Sequence, residues 1–354
     1  MLTVMTIRRA FLVLAGATVA GLPSAATGQG CEPTRFTVPV NLGAVGQAYK
    51  PNGWEVTLAY RRLLSNEFFV GESEVSNSGA PLGLVPVIKV HTVIADIAYS
   101  FNDRLRARVS IPYSTGSMTR KWPDGAVHEQ TANGLGDVSL LGEAWLLKPG
   151  AHPNGNIAIT LGVKAPTGSN DIPSKAYTAS GSVDFPADQP IQPGDGGWGA
   201  LMNVQAFRQI VDRFSVYALG SYLANPKARS DVTNGPTSTV HWSVPDVYSA
   251  RTGVAFDVLP DQGLSMSLGA RVDGTPVHDL FGGGDDDTIK RTYYVVFGDP
   301  GIAYMRDKNT FTVSVPWRVK VNRMTSLADR AAGTASAGGG FAKYLVFASY
   351  SRRF

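Results

Sequence analysis

Apolar and polar side chains alternate along most of this chain. In "RLRARVSI" the odd positions Leu105, Ala107, Val109 and Ile111 are apolar, while Arg104, Arg106, Arg108 and Ser110 between them are polar. "FTVSVPWRVKV" sets Phe311, Val313, Val315, Trp317, Val319 and Val321 against Thr312, Ser314, Arg318 and Lys320. A period of two is the mark of a pleated strand with unlike faces. Twelve such stretches follow one another, the first over Trp54–Leu63 and the last ending the chain as "FAKYLVFASYSRRF". Five tight links, near Asn102, Gly150, Val211, Asp261 and Asp307, alternate with six long ones, at 65–83, 113–134, 167–195, 225–245, 273–290 and 322–339. An even strand count with alternating links puts every short turn, and both chain ends, on one side. The predicted fold is therefore all-β: a transmembrane antiparallel β-barrel of about 12 strands with short periplasmic turns and long extracellular loops. A soluble sandwich gives link lengths no reason to alternate. Hydrocarbon leaves no room for an open sheet edge, so the last strand must pair with the first. Tyr344, Val346 and Tyr350 then share the lipid side with Phe354, and Arg352 breaks the pattern.

Composition narrows the picture further. Of 354 residues, 44% are hydrophobic and 17% charged, and beyond the first segment no apolar run is long enough for a transmembrane helix. Glycine (39) and proline (22) come in clusters, as many turns require. A net charge of +4 without a basic stripe argues against nucleic acid as a partner. Arg8 and Arg9, the apolar run Ala10–Leu22, and the small residues Ser24 and Ala26 form an export signal over residues 1–26. The run is short for a membrane anchor, the alternative reading. Cys31 is the single cysteine, which excludes an internal disulfide; "GQGC" lacks the aliphatic residue expected before a lipid-modified cysteine. Residues 27–53 are too few for a soluble domain and read as loose periplasmic chain or a small plug. Residues 54–354 form the barrel.

Assigning inward phases strand by strand gives pore-lining candidates Lys89, Arg104, Arg106, Arg108, Lys164, Arg271, Arg318 and Lys320, with Asp137 and Glu143 as the acids. A positive excess in a confined path concentrates anions. The competing reading is a ladder of interior ion pairs that holds strands in register, with Asp137 paired to an adjacent interior arginine and bracing the wall. Among the loops, "FGGGDDDT" and "SVDFPADQP" are rich in aspartate without the spacing of a calcium loop, so a solvated tip is the simpler reading. The third long link, with Asp171, Asp184, Asp188 and Asp195, is the candidate to fold into the lumen as a constriction. No GxSxG or HExxH motif and no cysteine–histidine cluster is present, and His91 is the one histidine inside a strand. No catalytic residue, cofactor or metal is expected.

Longer phrases carry a resemblance. "FNDRLRARVSIPYS" (Phe101–Ser114), "ANGLGDVSLLGEAWLL" (Ala132–Leu147), "GVKAPTGSND" (Gly162–Asp171) and the terminal Phe354 make the chain similar to the Gram-negative outer-membrane channel-like family associated with the phenol meta-degradation pathway. The resemblance implies an uptake channel of the cell outer membrane and aromatic solutes; joined to the basic lining, the expected function is passive uptake of small polar or anionic solutes, aromatic ones among them. The partners expected are outer-membrane lipids and lipopolysaccharide, a small-molecule solute, and periplasmic chaperones and the barrel-assembly machinery, which read the C-terminal strand. A closed barrel with a structural or surface-binding role, Trp122 and Phe281 serving as contacts, is the second reading. A lipid-ester hydrolase is the third.

Overall fold

In a computed structural model, residues 49–281, 287–334 and 336–354 are described. The export signal, Cys31, residues 27–48, and Asp285 and Asp286 of "FGGGDDDT" lie outside them. Twelve strands form the wall: β1 Gly53–Val70, β2 Val87–Ser100, β3 Leu105–Lys121, β4 Ser139–Trp145, β5 Gly155–Lys164, β6 Gly199–Val211, β7 Phe214–Ala224, β8 Val247–Leu259, β9 Leu264–Thr275, β10 Tyr293–Arg306, β11 in two pieces (Asn309–Ser314 and Trp317–Arg323), and β12 Gly338–Arg353. Each pairs antiparallel with its sequence neighbour, and β12 returns to β1 from Glu55↔Arg353 up to Val70↔Gly338. The expected closure is present, and the first strand runs on through "SNEFFV" beyond its predicted end at Leu63.

The outer surface is apolar because one face of each strand meets lipid. Leu58, Leu161, Leu268 and Val319 stand exposed on it, Val319 at 74%. At the end with the short turns, aromatic rings cluster outward: Trp54 lies 4.9 Å from Tyr99, Tyr99 5.2 Å from Phe101, and Phe311 4.8 Å from Tyr350. Such amphipathic rings mark a membrane–water interface. A closed antiparallel barrel with this apolar band is an outer-membrane barrel, and no helix among the described residues is long and apolar enough to cross a membrane.

One seam departs from full pairing. Pro316 splits β11, and above the pair Trp317↔Tyr344 the strand keeps its ladder to β10 but leaves β12. The gap is bridged at its top by Gly71, whose carbonyl accepts from Arg323 N (2.9 Å) and whose N–H donates to Ala337 O (3.1 Å). Between these points the Arg318 guanidinium crosses it, donating to Ala342 O at 2.9 Å and to the Glu67 carboxylate.

Two of the long links shape the second hairpin and the lumen. The second is partly strand: β3 continues to Lys121 and a hairpin arm, Val127–Leu135, pairs back on it. The third contains a hairpin of Pro173–Thr178 with Gly181–Pro186 and then turns inward, so that Ala187, Gln189, Ile191 and Gln192 are buried. Gly116 on β3 permits this approach, since a Cβ there would stand 2.7 Å from Ile191 Cβ.

Candidate channel lumen

The lower lumen is lined by the inward phase of the strands and is charged. Glu143 on β4 accepts from Arg106 and, at 2.8 Å, from Arg108. Arg106 also reaches Glu55 at 3.2 Å, Arg353 meets Glu55 at 3.0 Å, and Arg108 lies 4.0 Å from Asp96. Across the barrel Arg251 pairs with Asp299 and Arg271 with Asp273 (2.9 Å). Five arginines line a cavity of about 110 Å³ together with Glu55, Asp96 and Glu143, and Asp273 and Asp299 behind them bring the paired carboxylates to five. Tyr49, at the described end of the N-terminal segment, lines the same cavity, its hydroxyl 3.4 Å from Glu143 and its ring 4.5 Å from the Arg106 guanidinium. The ladder reading fits this arrangement better than a free positive lining.

Higher up, the inward face turns apolar. Leu63, Ile88, Val90, Met118, Tyr293 and Val295 form a belt inside the barrel, and Ala187 and Ile191 of the third link pack into it. Strand β2 shows the change: its inward series runs Ile88, Val90, Thr92, Ile94, Asp96 from top to bottom. The ends of the third link are pinned by Asp137, Lys164 and Asp195. Lys164 Nζ lies 3.3 Å from Asp137 and also binds Asp195, while Asp137 accepts from the N–H groups of Gly168 (3.0 Å) and Asp195 (3.2 Å). Asp137 of "GLGD" is a brace, but its partner is Lys164 rather than the arginine expected. In addition, Gln130 Oε1 accepts from Asp188 N at 3.2 Å, fixing the inserted turn to the second hairpin.

Three predicted pore residues are placed elsewhere. Lys89 points outward, because on the upper part of β2 it is the apolar residues that face the packed interior. Lys320 is also outside, half-exposed and paired with Glu72 at 3.0 Å: a bulge between Val296 and Phe297 of β10 and Lys320 and Arg318 of β11 skips Val319 and inverts the phase above it. Val321 accordingly points inward and is buried. Arg104 lies in the turn before β3 and donates to the carbonyls of Trp145 (3.1 Å) and Leu146 (2.8 Å) at the periplasmic rim. Arg106, Arg108, Glu143, Asp137, Lys164, Arg271 and Arg318 are on the inner side. The acids Glu55, Asp96, Asp273 and Asp299 and the bases Arg251 and Arg353 were missed; Glu55 was legible from Trp54, Val56 and Leu58 alternating around it.

Above the belt, at the extracellular end, lies a second cavity of about 220 Å³ lined by Trp122, Tyr177, Phe185, Trp242, Leu82 and several prolines. Arg120 lies 3.8 Å over Trp122 and Arg291 4.2 Å over Trp242, and both approach Asp188, at 3.7 and 3.3 Å. Tyr177 stacks on His128 at 3.6 Å.

The fifth long link is tied down by buried ionisable groups. Asp279 pairs with Lys290 at 2.7 Å and accepts from Asp246 N at 2.9 Å. Burial pushes the Asp279 carboxyl up to about 6. A raised carboxylate pKa means that the folded loop holds its proton better than the unfolded chain. This contribution is therefore full below the ordinary carboxylate range and is lost as pH rises through about 6. Hydrogen exchange over 277–280 is expected to be slower at pH 5 than at pH 7.5 after correction for intrinsic rates, and Asp279→Asn is expected to abolish the difference.

No family profile and no curated protein matches the chain. Among solved structures it is similar to the COG4313 outer membrane channel from Pseudomonas putida F1, with a TM-score of 0.61 and 14% identity over 90% of this chain and 100% of that one. Looser likenesses include a Pseudomonas aeruginosa FadL homologue (TM-score 0.45, 13% identity, 90% and 99% covered) and the Ralstonia pickettii toluene transporter TbuX (0.45, 11%, 93% and 97%). The first bears on the fold, which is that of an outer-membrane channel, in agreement with the resemblance read from the sequence.

Proposed function

We propose that the barrel is a channel for passive uptake of small aromatic solutes that carry a polar or anionic group. The observation that carries this reading is the order of surfaces along the barrel: an aromatic-lined cavity outside, an apolar belt, then an ion-paired polar lumen. A cavity of about 150 Å³ lined by apolar side chains suffices for benzene, so the outer one accommodates a single ring. Arg120 and Lys121 beside it supply partners for a carboxylate or hydroxyl. The balanced charges below pass a polar group without holding it. Transport rather than catalysis also agrees with the fold shared with the COG4313 outer membrane channel.

The test is benzoate flux into proteoliposomes at concentrations below saturation, with cyclohexanecarboxylate as the non-aromatic comparison. Trp122→Ala combined with Trp242→Ala is expected to slow benzoate by about tenfold, from aromatic contacts worth about 0.5–1.5 kcal/mol each, and to affect cyclohexanecarboxylate less. Equal loss for both acids would remove the aromatic preference, and no flux by the folded wild-type barrel would remove the channel.

A further inference from the structure

Cations at the upper end of the lipid-facing wall are grouped on one sector. Arg62 of β1, Lys89 and His91 of β2, and Lys343 of β12 point outward, while their neighbours Arg61, Leu63, Ile88 and Val90 are buried inside. Arg62 is the register partner of His91, and Leu64 that of Lys89. Arg62 and Lys89 are thus diagonal neighbours, about 7–8 Å apart at the backbone. On the other side of β1, Arg62 lies opposite Val346, three residues from Lys343. Lys343 Nζ sits 5.9 Å over the Trp317 ring, and His91 Nδ1 is 2.7 Å from the Tyr60 hydroxyl. Among the described residues no carboxylate forms an ion pair with Arg62, Lys89 or Lys343.

Their height is set by the strand. Arg62 is eight residues above Trp54 of the periplasmic ring cluster. At about 3.4 Å per residue and a tilt of about 40°, that is roughly 20 Å, close to the top of an apolar band about 25 Å tall. Tyr60 and Tyr113, one step lower, occupy the interfacial level. The uppermost outward positions of β4 to β8, Leu140, Val163, Ala200, Tyr222 and Tyr248, carry no charge. A general need for interfacial cations would spread them around the circumference; the grouping of the cations without a carboxylate partner on three adjacent strands, beside Lys320 of β11 which Glu72 already neutralises, calls for a local anion.

We propose that this sector binds the phosphates of one lipopolysaccharide molecule in the outer leaflet, with Arg62, Lys89 and Lys343 as the phosphate partners and His91 as a further donor. Lipid phosphate is the anion at that depth, and basic side chains at a membrane surface recognise it by charge. The acyl chains of the same molecule would lie along the apolar strand faces below.

The test uses the refolded full barrel and rough lipopolysaccharide, read by native mass spectrometry at increasing lipid concentration. Wild type is expected to retain one molecule. The combined variant Arg62→Gln, Lys89→Gln, Lys343→Gln is expected to bind on the order of a hundredfold more weakly, whereas Arg213→Gln with Lys308→Gln, at the periplasmic rim, binds as wild type. Retention of the lipid by the triple variant, or equal binding of dephosphorylated lipid A by wild type, overturns the proposal. Lys89→Gln alone provides the same comparison if the triple variant fails to fold, with heat-shifted gel mobility as the folding check. Solute flux, which the channel reading predicts, is expected to be unchanged by these substitutions, so the two ideas fail separately.

Discussion

Replacing Glu143 with glutamine is expected to turn the barrel anion-selective. Glu143 is the carboxylate shared by Arg106 and Arg108, with its side chain only 5% exposed. In wild type the five arginines and five carboxylates of the lower lumen cancel, so reversal potentials under a salt gradient should be small. Loss of one negative charge leaves the confined path with a net positive charge, and its low-dielectric walls focus that field on permeating ions. A clear shift of the reversal potential toward that of chloride is the expected result. Stability falls with it: removing one partner of a buried pair costs about 3–5 kcal/mol, and a lumen reached by water should bring that to the lower end. Urea unfolding in detergent reads this directly. Lys320→Gln, which neutralises a cation on the outer wall, is expected to leave selectivity unchanged. Identical reversal potentials for wild type and Glu143→Gln would show that current does not pass the arginine ladder.

The second large effect concerns the third long link. Excising residues 171–193 and joining the ends with a short glycine-serine bridge is expected to raise single-channel conductance at least severalfold. The segment places Ala187 and Ile191 in the apolar belt, and an apolar constriction resists ions by excluding water. Two milder changes test the same feature from either side of the contact. Ile191→Ser makes the constriction wettable and should raise conductance less than the excision does. Gly116→Val pushes against Ile191 from the wall, because its Cβ would start 2.7 Å from that of Ile191. It is expected to loosen the inserted turn, seen as faster proteolysis of the third link. Unchanged conductance in the excised barrel would place the limiting narrow point in the arginine ladder.

The barrel was legible because its two strongest signals are local. Strand alternation follows from the pleat and link lengths from topology, so neither depends on what fills the interior. The inner surface is different. "Polar inside" holds for Arg106 and Arg108 because water and carboxylates meet them there. It fails for Lys89, whose neighbours Ile88 and Val90 pack against a segment about a hundred residues later in the chain. No periodicity within β2 carries that information. Lys320 was misplaced by one bulged residue, since a single inserted position exchanges the two faces of every residue after it. The outer aromatic cavity was the least legible part: Trp122, Tyr177 and Trp242 come from three different links, and only the folded loops bring them together. Asp137 could be read as a brace from its inward phase, but its partner is Lys164, at the end of the strand paired with the one Asp137 leads into, and not the arginine expected.

A hoop has the strength of its weakest joint. β12 is joined to β1 by a ladder running nearly their full length, whereas the upper piece of β11 is tied across the gap by the Arg318 guanidinium, which reaches the Ala342 carbonyl and the Glu67 carboxylate of β1, and at the top by Gly71 between Arg323 and Ala337. If the bilayer stretches or thins and the wall is strained sideways, this joint yields first, and the width of the barrel's upper half then rests on one arginine and one glycine.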